Sequence, residues 1–326
     1  MPLLPEPVDR LRPRWRTFVR LGFLVGFLGA LAWSVRGQWP AVEPLLGRVS
    51  PLALAAALVL VLGGILATFR CWRTILAELG GELPPAAALR VFFLGQLGKY
   101  VPGSVWPAMA QMELGRDYQV PERASASAVG VFLLVVVGTG LAVSAVVLPL
   151  SGGDAVGAFW WLLAALPVAL VATTPPVLNR LLGLGLRLAR RPPPPAALST
   201  AGLLRAAGWS LAAWLAYGLH LWVLAARLGH GGGLPLLVHA TGAFAAAWCA
   251  GFLLVLAPAG AGIREAALVL LLGPVLTRPE ATVVAVLSRL LFVVGDLGWA
   301  AMALLVGRRA SPTRAGRPRG WSSPPP

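Results

Sequence analysis

Charge is the first thing this chain is short of. Of its 326 residues 12% are charged, against roughly 25% in soluble globular domains, while 58% are hydrophobic. That balance does not fit a water-soluble fold. Cysteine is scarce too: Cys71 and Cys249 cannot make a disulfide framework, and their surroundings place the first at a membrane edge and the second in mid-span, so both read as free thiols. The three histidines, His220, His230 and His239, never fall at metal-ligand spacing with each other or with the cysteines, so no metal or other cofactor is expected. Gly98-Lys99-Tyr100 lacks the hydroxyl residue and the upstream glycine of a phosphate-binding P-loop. There is also no dinucleotide fingerprint and no nucleophile elbow, so no ATP-driven motor is encoded and no catalytic residue is assigned.

What is present is apolar length. The 38 Gly, 29 Pro and 13 Trp suit a polytopic membrane protein, where glycine and proline are tolerated in spans and tryptophan gathers at interfaces. About 20 apolar residues cross a hydrocarbon core of ~30 Å. Eight such stretches are expected, at 18–36, 51–69, 126–148, 157–178, 206–226, 236–257, 260–277 and 282–306. The fold class is therefore all-α, a polytopic helical bundle with broken or re-entrant segments near 91–110 and 258–277. The seventh stretch is short, opens on Ala259-Gly260-Ala261-Gly262 and contains Gly273-Pro274, which reads as a broken helix or part of a re-entrant hairpin.

The 27 basic residues against 12 acidic ones give +15, which in a soluble protein suggests nucleic acid. Here the excess sorts by side. Alternating the loops puts 21 basic residues on the face of the two termini and 4 on the other, so the positive-inside rule places both termini in the cytoplasm of a multi-pass cell-membrane protein, with no nucleic-acid partner. Residues 1–17 form a basic cytoplasmic N-terminus, 18–306 a transmembrane domain with halves at about 18–178 and 206–306, and 307–326 an Arg-, Pro- and Ser-rich tail expected to be disordered. The linker, 179–205, carries the stiff run Arg191-Pro192-Pro193-Pro194-Pro195. The first apolar run resembles a secretory signal at Ala30-Leu31-Ala32, but it continues through Trp33 and Val35 to span length and reads as an uncleaved anchor. Gly22 and Gly26 form a small-xxx-small pair suited to close helix packing.

Three groups of residues place charge where charge is expensive. The first lies between Val91 and Met109, where Gln96, Gly98, the single lysine Lys99, Tyr100, Pro102, Gly103, Trp106 and Pro107 interrupt any regular helix. Non-helical backbone at membrane depth persists only where it is packed in protein or lines a wet cavity, and an ammonium beside freed N–H groups suits a phosphate. The alternative is that Lys99 snorkels to the headgroups while Tyr100 and Trp106 anchor the interface. The second group is Pro258-Ala259-Gly260-Ala261-Gly262-Ile263-Arg264-Glu265, a small-residue turn opening a helix, with N–H groups and Arg264 offered to an anion. Its alternative is a surface loop with two solvated charges. The third is Arg289 and Asp296, seven residues apart on one helical face and about 10.5 Å apart along it. Each needs a buried partner: Glu265 is expected to pair with Arg289 or Lys99, and Asp296 with Arg264. A purely structural network that fixes helix register is the other reading. His220 and His239 lie in spans and read as hydrogen-bonded structural residues rather than proton relays.

Gly98-Lys99-Tyr100-Val101-Pro102-Gly103-Ser104-Val105-Trp106 together with Pro258 to Glu265 resembles the paired signatures of the lysylphosphatidylglycerol synthase transmembrane, or flippase-like, family. Span count and order extend the resemblance over most of the chain; Ser104 and Ala259 stand where glycine is the commoner expectation. In bifunctional members the membrane part moves an aminoacylated phospholipid between leaflets and a soluble domain makes it. The resemblance here implies the membrane part alone, with the soluble synthase domain expected absent. The expected function is binding a phospholipid with an anionic phosphate headgroup, at Lys99, Arg264, Glu265, Arg289, Asp296, Tyr100, Trp106 and Gln96, and moving it across the bilayer. The backbone at Gly98, Pro102, Gly103, Gly260 and Gly262 shapes that site. Alternatives are a membrane-embedded transferase acting on a lipid-linked substrate, and an accessory subunit of a separately encoded lipid synthase.

Overall fold

The computed structural model describes residues 39–100, 106–150, 167, 171, 174–188, 196–228, 231–253 and 262–309. The expected span at 18–36, most of that at 157–178, the Gly22/Gly26 pair, the Pro192–Pro195 run, Pro102, Gly103, His230, Gly260 and the tail beyond 309 lie outside these residues. The described residues form helices joined by turns: α1 (Trp39–Leu46), α2 (Pro51–Glu78), α3 (Pro85–Gln96), a 3₁₀ turn (Leu97–Tyr100), α4 (Trp106–Arg116), α5 (Glu122–Leu150), α6 (Pro175–Leu188), α7 (Thr200–Ala226), α8 (Leu234–Leu253), α9 (Ile263–Leu272) and α10 (Arg278–Arg309). Five of them, α2, α5, α7, α8 and α10, are long and apolar enough to cross a membrane. The chain is a multi-pass helical membrane protein.

Local sequence sets the helix starts. Ser50 caps α2, its hydroxyl accepting from the N–H of Ala53 at 3.3 Å, with Pro51 at the first helical position. Ser199 caps α7 by accepting from Gly202 at 2.9 Å. Thr277 opens α10, its N–H and hydroxyl both donating to Glu280 Oε2 at 2.9 and 2.7 Å. At 28 residues, α2 runs about 42 Å, nine residues beyond the expected stretch, because nothing after Ala67 breaks a helix and Arg70 and Arg73 can reach headgroup depth. The expected linker is partly helical as well: α6 covers Pro175–Leu188 with leucines recurring among Arg180 and Arg187, and α7 begins at Thr200.

α2 and α7 form the central pair and run antiparallel. At one end Glu78 Oε2 accepts from the Ser199 N–H and hydroxyl at 3.1 and 2.6 Å, and Glu78 Oε1 faces Arg205 at 3.2 Å. Nearer the middle, Thr68 Oγ1 and the Tyr217 hydroxyl meet at 2.9 Å. α8 packs on α5, α7 and α9, and α10 packs on α1, α2, α3, α7 and α9. One aromatic cluster, Phe69, Trp72, Phe92 and Phe93, joins α2 to α3, and Phe93 stacks on Trp299 of α10 at 4.9 Å. Trp299 in turn donates its indole N–H to the carbonyl of Leu62 at 3.1 Å. Cys71 and Cys249 are buried free thiols on α2 and α8.

Two stretches break the pattern of full crossings. α3 and α4, of 12 and 11 residues, are each about 17 Å long, and α9, of 10 residues, about 15 Å; each covers roughly half of a hydrocarbon core. They sit where broken segments are expected, and the turn after α3 and the start of α9 meet one face of α10, at Asp296 and Arg289.

Candidate functional site

The first half-helix pair delivers a lysine and a tyrosine. α3 gives way at Leu97 to the 3₁₀ turn, and a Cβ placed on Gly98 would stand 2.8 Å from Pro107 N and 2.9 Å from the Trp106 carbonyl carbon. Only glycine lets the end of α3 meet the start of α4 this closely. The turn carries Lys99 and Tyr100 to Asp296: Lys99 Nζ lies 2.6 Å from Asp296 Oδ2, and the Tyr100 hydroxyl donates to the same oxygen at 2.6 Å. The ammonium is also 5.4 Å from the Tyr100 ring centroid. Asp296 is 6% exposed while Lys99 keeps 32%, so the pair is buried on the carboxylate side and open on the ammonium side. Its position 18 residues into α10 puts Asp296 about 27 Å along that helix, near the middle.

The second half-helix supplies opposite charges side by side. Gly262 has φ +84°, the left-handed region that glycine enters without a Cβ penalty, and it turns the chain into α9. Glu265 then uses both oxygens: Oε2 accepts the Gly262 N–H at 2.7 Å, and Oε1 faces Arg289 Nε of α10 at 3.5 Å. Arg289 is 6% exposed and Glu265 14%.

Arg264, one residue away and on another side of the helix, has a different environment. Its guanidinium carbon lies 4.6 Å from the ring centroids of both Phe244 (α8) and Phe292 (α10). Those rings are nearly parallel, 5.4 Å apart, and Tyr217 and His220 of α7 close around them at 5.0 to 5.6 Å. His220 Nε2 is held by Ser288 Oγ at 2.9 Å, while His239 bonds the carbonyl of Leu271 at 2.7 Å. Arg264 is 9% exposed, and its Nη2 has no hydrogen-bond partner among the described residues. It lies within electrostatic reach of Arg289, Glu265, Tyr217 and Tyr100, so the two half-helices and α10 share one electrostatic centre.

Of the pairings expected from sequence, Glu265 with Arg289 is observed. Asp296 with Arg264 is not: the 3₁₀ turn brings Lys99 and Tyr100 to the carboxylate, and the aromatic rings claim the guanidinium. The N-terminus of α9 is also less open to an anion than its small residues suggest, because the chain's own Glu265 takes the Gly262 N–H. Gln96 and Trp106 are half-buried at the facing ends of α3 and α4. The aromatic seat of Arg264 was not read from sequence, although Phe292 shares a helical face with Arg289 and Asp296 through spacings of three and four. Gln111 was missed too; on α4 it is 2% exposed with its Oε1 lacking a hydrogen-bond partner among the described residues. Outside the spans, Glu122 and then Glu113 hold the Arg116 guanidinium above its ordinary range.

With three cations and two carboxylates gathered on α9, α10 and the 3₁₀ turn, the arrangement can hold an anion; among the described residues no three His, Cys, Asp or Glu side chains are grouped to hold a metal ion. Over residues 19–297 the chain matches the family model described as "Lysylphosphatidylglycerol synthase TM region". Comparison with curated proteins and with solved structures returns no match.

Proposed function

We propose, from the premise that this chain belongs to the lysylphosphatidylglycerol synthase transmembrane family, that it binds the headgroup of a membrane phospholipid at the Lys99–Asp296 and Arg264–Glu265–Arg289 centre and carries it between leaflets. Membership makes it a multi-pass membrane protein of a lipid-related family; the translocation step, the cell membrane as its site and cytoplasmic termini are our reading. The single observation that carries it is the convergence of two half-length helices on mid-span charges of α10. A charge at the bilayer centre costs at least ~2.5 kcal/mol on insertion scales, so five in one place is expected only where a polar cargo or a demanding structural lock needs them. Half-helices that end at membrane depth also offer backbone groups to such a cargo.

The same geometry weighs against the transferase alternative. A general base needs a carboxylate with a free oxygen in reach of substrate, whereas both oxygens of Glu265 are divided between Gly262 and Arg289; Asp296, engaged by Lys99 and Tyr100 through Oδ2 alone, is the carboxylate that alternative would have to use. With no nucleotide-binding loop in the sequence, movement runs downhill or on the membrane potential, which supplies about 2.3 kcal/mol per charge per 100 mV. The test is reconstitution in liposomes carrying a fluorescent phospholipid in one leaflet. The protein should speed its transfer, and Lys99→Ala and Arg264→Ala should each slow it at least tenfold. Transfer equal to protein-free liposomes, or unchanged in both variants, contradicts the proposal. A chemically altered lipid in the same liposomes favours the transferase.

A further inference from the structure

The five charges are not equivalent, and their differences bear on what the site accepts. Asp296 is engaged by Lys99 and Tyr100 on one oxygen. Glu265 is engaged by Arg289 and by its own helix end. The other acids with partners hold them elsewhere: Glu78 at Ser199 and Arg205, Glu113 and Glu122 at Arg116, Glu280 at Thr277. Among the described residues Arg264 is the cation of the centre that has aromatic faces in place of a carboxylate within ion-pair distance, and its buried Nη2 has no hydrogen-bond partner there. Rings of Phe244 and Phe292 offset part of the desolvation of a cation, yet they supply no lone pair for its N–H groups. Such a nitrogen calls for an oxygen acceptor that bears negative charge, and a phosphodiester offers two in a geometry that matches the guanidinium fork. Access lies close by, since Lys99 is a third exposed and Gly262, two residues before Arg264, is exposed.

We infer that the centre accepts one net negative charge, a phosphodiester of a glycerol-type headgroup with no compensating amine, seated on Arg264, and that it discriminates against the lysyl ester of the same lipid. This rests on the lipid-binding reading above and specifies its substrate class. The physical reason is the residual charge. A monoanion brings the centre to neutrality, a zwitterion leaves the surplus cation uncompensated, and the lysyl ester, with two ammonium groups against one phosphate, adds positive charge to a positive low-dielectric site. Both carboxylates that such ammoniums would seek are occupied, and freeing either leaves Lys99 or Arg289 without its anion. Like-charge juxtaposition of this kind is a strong source of discrimination.

The experiment is equilibrium binding to the full-length protein in neutral detergent, by displacement of a fluorescent phosphatidylglycerol. The competitors are unlabelled phosphatidylglycerol, phosphatidylcholine, lysylphosphatidylglycerol and the soluble deacylated headgroup glycerophosphoglycerol. Phosphatidylglycerol should compete at least tenfold better than phosphatidylcholine and lysylphosphatidylglycerol. Arg264→Gln should abolish the preference, so that phosphatidylglycerol competes no better than phosphatidylcholine, while an unchanged circular-dichroism spectrum reports a folded protein. Equal or better competition by lysylphosphatidylglycerol overturns the inference, as does an anion preference that survives Arg264→Gln. The wild-type comparison stands even if that variant does not fold. Failure of every lipid to displace the probe overturns the lipid-binding reading itself. Glycerophosphoglycerol matching the intact lipid also overturns that reading, and supports a site for free phosphodiesters.

Discussion

The hydroxyl of Tyr100 lies 2.6 Å from Asp296 Oδ2 across 196 positions of sequence, and the bond fastens a half-length helical segment to the middle of the last spanning helix. Lys99 shares the same oxygen, so one carboxylate holds the whole turn. Asp296→Asn removes the anion from both donors. Breaking a buried pair costs about 3–5 kcal/mol, and with Lys99 a third exposed the expected loss is about 1–3 kcal/mol, seen as a lower thermal unfolding midpoint in detergent. In a double-mutant cycle, Lys99→Met should cost markedly less when Asp296→Asn is already present than in the wild type; additive losses would contradict a direct pair.

Tyr100→Phe keeps the ring beside Lys99 and removes only the hydroxyl. A hydrogen bond to a charged group is worth about 1.5–3 kcal/mol, so stability should fall by roughly that amount. Because the turn is then held by Lys99 alone, limited proteolysis near residues 97–106 should speed up. Unchanged stability together with unchanged protease sensitivity would place the bond outside the folded state in solution.

Glu265 has two jobs that separate by substitution. Glu265→Gln can still accept the Gly262 N–H but cannot pair with Arg289, whereas Glu265→Ala loses both. The extra loss in the alanine variant should be about 0.5–2 kcal/mol, the usual worth of a helix cap, measured by chemical denaturation in mixed micelles. Gly262→Ala meets a different obstacle: its φ of +84° costs an L-residue about 1–2 kcal/mol. A Gly262→Ala variant as stable as wild type would show that the turn is made differently.

Phe292→Leu retains apolar volume beneath Arg264 and deletes one aromatic face. Cation–π contacts are worth about 0.5–2 kcal/mol, so affinity for an anionic phospholipid should change by threefold or more while that for phosphatidylcholine holds. Lipid displacement reads both, and a parallel change in the two lipids would assign Phe292 to packing alone.

How much of this was legible in the sequence differs by element. Long apolar runs announce α2, α5, α7, α8 and α10 because lipid imposes a length that few other environments require. Proline and glycine mark the broken segments at α3–α4 and α9 for the same reason that they break helices anywhere. The spacing of Arg289 and Asp296 shows that both face one side, and burial cost shows that each needs a partner. Partner choice is another matter. Asp296 takes Lys99 rather than Arg264 because the 3₁₀ turn aims Lys99 at α10, a direction set by the close approach at Gly98 and by the Phe93–Trp299 stack, neither of which has a sequence period. Glu265 was readable as a cap, since Gly262-Ile263-Arg264-Glu265 has the spacing of a capping box, but the helix end looks open until that bond is seen. The seat of Arg264 depends on Phe244 of a helix whose residues are apolar nearly all round, where no pattern distinguishes one phenylalanine from another.

The position of the headgroup decides whether this charged centre is the binding site. A phospholipid bearing a photoreactive diazirine in its headgroup, crosslinked to the reconstituted protein and mapped by peptide mass spectrometry, reports that position directly. Adducts should concentrate on residues 96–106, 262–265 and 289–296, and excess unlabelled phosphatidylglycerol should suppress them. Adducts confined to the ends of the spanning helices, with none on these three segments, would contradict it.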